Sequence, residues 1–118
     1  MAIVLGERQA DACIRVLETE TAVVISAGTV AEAFIVAERR NVGGEMTRLI
    51  DGLGFEAVPV TRAAARRIAA AYARWGRGSH QAGLNFEDCF AYEVAKTHSC
   101  PLLFVGDDFA ETDLESAL

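Results

Sequence analysis

The sequence predicts an α/β domain, a mostly parallel sheet flanked by helices, and three observations predict it. Segments with apolar residues at i, i+3, i+4 and i+7 alternate along the chain with short apolar runs, the order of strand–helix–strand crossovers. Those short runs read as buried strands, as a sheet covered on both faces requires. The 118 residues carry only two Pro, no Ser-, Gly- or Pro-rich stretch long enough to be a linker, and no internal repeat. Residues 1–118 are therefore one domain.

Ala10, Cys13, Ile14 and Leu17 mark an amphipathic helix over 7–19. Thr21-Ala-Val-Val-Ile25 reads as a buried strand. From Thr29 to Arg40 the chain is apolar on nearly every side, so this helix is covered on more than one face, and Asn41-Val-Gly-Gly44 ends it. Met46, Leu49, Ile50 and Leu53 repeat the helical spacing until Gly54 stops it. Phe55–Val60 is extended, with Pro59 at a strand margin. Thr61 caps a helix whose apolar stripe is Ala64, Ile68, Ala71, Tyr72 and Trp75. A loop over Gly76–Gly83, a helix over Asn85–Lys96, a short buried strand at Pro101–Val105 and the turn Gly106-Asp-Asp108 complete the reading.

Eleven Lys and Arg against 17 Asp and Glu give a net charge of −6. Attraction to polyanions in general is excluded, so any nucleic-acid contact is local. No apolar run approaches the roughly 20 residues of a membrane span, and no basic segment precedes an apolar stretch at the start. A soluble, cytoplasmic protein is expected, with no membrane partner. The three cysteines, Cys13, Cys89 and Cys100, are odd in number and lack a C-x-x-C pair, which argues against a disulfide scaffold.

In open parallel sheets the loops leaving the carboxyl ends of strands line the ligand crevice. The acids at such positions are Glu32, Asp88, Asp107 and Asp108. Gathered at one end of the sheet they would repel one another unless a divalent cation bound them, and oxygen-only ligands suit Mg²⁺ or Mn²⁺ better than Zn²⁺. Such a site is suited to metal-assisted phosphodiester hydrolysis. Each acid also has a purely structural reading. Thr29-Val-Ala-Glu32 fits a capping box, Asn85-Phe-Glu-Asp88 offers an Asn cap with an acid at N3, and Gly106-Asp-Asp108 fits a solvated turn.

No acid occurs between Ala57 and Phe86, where Arg62, Arg66, Arg67, Arg74, Arg77 and His80 fall. Arg74, Arg77 and His80 flank the loop ahead of Asp88 and are the RNA-binding candidates; a solvated helix face is the alternative. Cys89 reads as a small buried residue because no base is placed beside it. Ser26 either orients a water near Glu32 or caps the strand end.

Ala82-Gly-Leu-Asn-Phe-Glu-Asp-Cys-Phe-Ala-Tyr92 followed by Pro101-Leu-Leu-Phe-Val-Gly-Asp-Asp-Phe109 closely resembles the VapC branch of the PIN-domain endoribonucleases, the toxins of bacterial toxin–antitoxin pairs. Further support comes from Ile25-Ser-Ala27, Ala31-Glu32-Ala33, Glu38-Arg39-Arg40, Val58-Pro-Val60, Gly76-Arg-Gly78 with His80, and Thr112-Asp113. The resemblance implies a PIN-like parallel sheet, metal-dependent cleavage of RNA, a homodimer, and inhibition by a VapB-type antitoxin. It implies Glu32, Asp88 and Asp108 as catalytic and metal-binding acids, with Asp107 secondary. It also implies an opening strand ending in Asp, in a pattern like I-D-[ST]-[SA]-[AL]. Met1-Ala-Ile-Val-Leu-Gly-Glu7 resembles the family's segment immediately C-terminal to that motif, so the N-terminal strand and one principal ligand are expected to be missing. A start assigned too late, a shortened relative and a trimmed chain all account for this. The alternative function is a catalytically inactive PIN-like module that retains antitoxin binding or dimerisation.

Overall fold

A computed structural model describes residues 8–19, 23–104 and 109–118. Along it run α1 (Ala10–Thr19), β1 (Val24–Ser26), α2 (Ala27–Arg39), α3 (Gly43–Leu53), β2 (Glu56–Val58), α4 (Arg62–Trp75), α5 (Phe86–Thr97) and a 3-10 turn at Phe109–Glu111. β1 and β2 are parallel, with Val24 opposite Glu56, Ile25 opposite Ala57 and Ser26 opposite Val58. The helices α2 and α3 form the crossover between them, which gives the α/β class that the alternation of patterns predicts.

Local chemistry explains where the elements begin and end. Ser26 caps α2, its Oγ accepting from the Gly28 N–H at 3.2 Å, so that helix starts two residues ahead of the predicted Thr29. Asn41 turns the chain at φ 60°, and α3 begins at once at Gly43, inside the segment read as a helix stop. Gly54 ends α3 in the left-handed conformation at φ 63°, which a side chain would strain. Thr61 caps α4 as predicted, Oγ1 accepting from Ala64 N–H at 3.1 Å. Helix α1 starts at Ala10 rather than residue 7, and Glu7, like Thr21 and Ala22 of the first predicted strand, lies outside the described residues. The same holds for the segment Met1–Glu7 on which the missing-strand expectation rests.

The core is built where α4 lies on α5. Ile68, Ala71 and Trp75 of α4 meet Leu84, Cys89 and Tyr92, with Phe90, Phe109 and Leu114 packed against them. Tyr72, placed in the apolar stripe by spacing, sits at its edge and is 41% exposed, because the buried line follows Ala64, Ile68, Ala71 and Trp75. Trp75 Nε1 donates to the Tyr92 hydroxyl at 2.9 Å, and that hydroxyl donates to Asp113 Oδ1 at 2.7 Å. Lys96 Nζ holds the other Asp113 oxygen at 3.0 Å. The chain's last segment is thereby tied to α5.

The predicted strand at Pro101–Val105 is a correction. Leu102 makes only an isolated bridge with Ser116, donating to Glu115 O at 2.8 Å and accepting from Ala117 N–H at 2.9 Å. The C-terminal segment thus takes up the backbone groups of Leu102, while Leu102–Phe104 are half-buried and Val105 lies outside the described residues. Side chains of this run and of β1 both line a cavity of about 640 Å³, whose walls are largely apolar and include Ile25, Leu49, Ile50, Val94 and Phe104. Among the described residues, no helix is long and apolar enough to cross a membrane.

Candidate functional site

Glu32 and Asp88 come from separate helices. Asp88 is the third residue of α5, whose cap is reciprocal: Asn85 Oδ1 accepts from the Asp88 N–H at 2.8 Å, and Asp88 Oδ2 accepts from the Asn85 N–H at 3.1 Å. The capping reading of Asp88 is therefore correct. It is also compatible with a role in a site, since the cap fixes where the carboxylate stands. Glu87, one residue earlier, joins it in the first turn, where the helix dipole favours negative charge.

Glu32 is brought to that turn by the packing of α2 on α5. The approach is close one turn earlier on α2: a Cβ added at Gly28 would stand 2.5 Å from the Phe90 ring, so glycine admits the aromatic side chain there. The capping-box reading of Glu32 is overturned, because Thr29 lies inside α2 and Ser26 is the cap. Thr29 Oγ1 is buried with no hydrogen-bond partner among the described residues. Glu32 instead faces other acids. Burial pushes its carboxyl above the usual range, and the neighbouring charges of Glu87 and Asp88 push it the same way. Glu87 was not among the acids singled out from the sequence, although an N-cap at Asn85 puts it beside Asp88 on the same exposed end of the helix.

Asp107 and Asp108 lie outside the described residues. Among the residues described, no three His, Cys, Asp or Glu stand close enough together to hold a metal ion. The chemistry of Glu32 and Asp88 nevertheless suits a hard dication. Both donors are carboxylate oxygens, and a bound cation would offset the like-charge repulsion that adds to the effect of burial at Glu32. Cys89 beside them is buried, and its thiol is pushed up to about 11 by burial and then by the Asp88 charge. It remains protonated at neutral pH and is no nucleophile.

The basic candidates divide. Arg67 Nε is bound to the buried Glu93 at 2.9 Å, with Thr97 Oγ1 donating to the same oxygen at 2.7 Å, so Arg67 braces α4 on α5. Arg74 lies in the last turn of α4 with its guanidinium carbon 4.5 Å from the centre of the Trp75 ring. Arg77 is exposed, and its backbone N–H bonds to Leu84 O at 3.0 Å, which holds the loop against the residue just before the α5 cap. His80 meets Trp75 edge-on, ring centres 4.7 Å apart, and its Nδ1 accepts from Ala82 N–H at 3.0 Å. In the neutral ring Nε2 then carries the proton.

The chain matches the PIN-domain family model over residues 1–115. It is 40% identical to the ribonuclease VapC36 of Mycobacterium tuberculosis over 119 residues, covering 98% of this chain and 86% of that protein. The VapC ribonuclease Mb2004c of Mycobacterium bovis shows the same identity and coverage. With the ribonuclease VapC28 of M. tuberculosis the identity is 38% over 122 residues, covering the whole of this chain and 92% of that protein. The strand–helix crossover, the acids drawn together by α2 and α5, and these matches along almost the full length have one reading: the chain belongs to the PIN-domain family, in its VapC branch.

Proposed function

We propose that the protein is a VapC-type toxin ribonuclease that hydrolyses RNA phosphodiester bonds with Mg²⁺ or Mn²⁺ bound by Glu32, Asp88 and Asp108, with Asp107 as a secondary acid. The observation that carries this reading is that α2, packed on α5, puts Glu32 within electrostatic reach of Glu87 and Asp88 in the first turn of α5, so that burial first and then these two charges raise its carboxyl. Such a cluster costs stability unless a cation binds it. A bound dication would lower the pKa of water and neutralise charge growing on the phosphate. Within the protein, the Asn85 cap orients the Asp88 carboxylate, and partial burial of Glu32 keeps its negative charge poorly screened and therefore attractive to a cation. Arg77 and Arg74 supply positive charge to the RNA backbone, and His80 Nε2–H is a donor for a phosphate oxygen. By the same family reasoning the protein is a cytoplasmic homodimer neutralised by a VapB-type antitoxin.

Cleavage of a broad RNA panel with Mg²⁺, with Mn²⁺ and with EDTA tests the reading. Metal-dependent cleavage is expected, with turnover falling about 100-fold or more in E32Q and in D88N, whose amide oxygen still accepts the Asn85 N–H and so spares the cap. Absence of metal-dependent cleavage from the whole panel would overturn it in favour of an inactive binding module.

A further inference from the structure

The first residue of α5, Phe86, is an aromatic ring with 60% of its surface in water, although large apolar side chains are ordinarily drawn into the core. It is immediately followed by Glu87 and Asp88, the two acids whose charges act on Glu32. Phe90, one turn further along α5, meets its ring edge-on with centres 4.9 Å apart. Phe90 in turn is seated against Gly28 of α2, the helix that brings Glu32. The ring is thus braced by the same contact that assembles the acids, and much of its surface remains available.

From this arrangement we infer that Phe86 is a stacking platform for a nucleobase of the RNA, next to the phosphate held at the acidic turn. The inference rests on the ribonuclease reading above. An aromatic face accepts any base, and stacking requires no hydrogen-bonding partner, so the contact positions the strand without selecting a sequence. It also answers an electrostatic need. The acids repel an approaching phosphodiester, and a neutral π-face gives binding free energy at this point without adding charge that would pair with them and displace a cation. Phe86 is a positioning residue and touches no reacting atom.

The test separates the platform from catalysis by reading binding. Fluorescein-labelled oligoribonucleotides of about 12 nucleotides, with a single abasic site moved through the strand, are titrated by anisotropy with the wild-type chain, F86L and F86Y in Ca²⁺. F86L keeps apolar bulk and loses the π-face, and it is expected to weaken binding of intact RNA about tenfold, while F86Y retains it. One abasic position should weaken the wild type by a similar factor, and F86L should cause no further loss on that strand. Equal losses for F86L on intact and every abasic RNA, or no loss at all, would overturn the inference. So would a wild-type chain with no RNA affinity. A change in sedimentation for F86L with RNA binding intact would identify the ring as a subunit contact instead and also overturn it. If the wild type binds but fails to cleave, the ribonuclease reading falls, while the stacking comparison still decides the role of Phe86.

Discussion

Glu32 is the residue whose environment and sequence context disagree most. Locally it completes a capping pattern with Thr29; in the fold it is half-buried, and burial and then the charges of Glu87 and Asp88 raise its carboxyl. Because its folded-state pKa exceeds the unfolded value, the native state binds the extra proton between the two. The stability from that proton is fully present below the unfolded pKa and is lost as pH rises through the raised folded one. E32Q should therefore raise the melting temperature by a degree or two at pH 7 and have little effect near pH 4, as scanning calorimetry at both pH values would read. Equal shifts at both pH values would mean that the charge is not the cause. Asp113 moves the other way. Burial alone would raise it, but donation from the Tyr92 hydroxyl and Lys96 prevails and holds it below the usual carboxylate range. Its contribution is present above the unfolded pKa and lost as pH falls through the lowered one.

At the scale of elements, α5 joins fold and site through a single cap. Asn85 and Asp88 satisfy two backbone donors that would otherwise be unpaired at the helix start. N85A should destabilise the protein by about 1 kcal/mol, a loss that N85S largely restores. Denaturant unfolding of the three proteins checks it, and an N85S variant as unstable as N85A would show that the cap is not the cause. This cap was legible in the sequence, as were Thr61 and Gly54, because capping depends on residues three or four positions apart. The start of α2 was not. Ser26 and Thr29 are both good caps, and the choice fell to the one that stands directly at the end of β1.

The whole molecule divides into a firm part and a looser one. The α4–α5 pair carries the buried cluster and the Trp75–Tyr92–Asp113 chain of hydrogen bonds, whereas β1 pairs with β2 alone among the described residues and borders the 640 Å³ cavity. Amides of β1 and β2 should exchange with solvent at least about tenfold faster than those of Ile68, Ala71 and Tyr92, as native-state hydrogen exchange would show. Slower exchange in the strands would mean that the sheet, and not the helix pair, is the stable unit.

The sequence by itself determined the kind of most elements, the caps at Thr61, Asn85 and Gly54, the α/β alternation and the family, since periodicity, caps and motifs are local properties of the chain. It also marked Glu32 and Asp88 as acids worth following. Only the tertiary structure decided that Glu32 comes within electrostatic reach of Glu87 and Asp88, that Arg67 serves Glu93, that Phe86 stays in water, and that Leu102 bridges to Ser116 and is not part of a longer strand. The reason is the same in each case. These outcomes depend on which surfaces meet across tens of residues, and burial, like-charge repulsion and competition for backbone hydrogen bonds exist only once they have met.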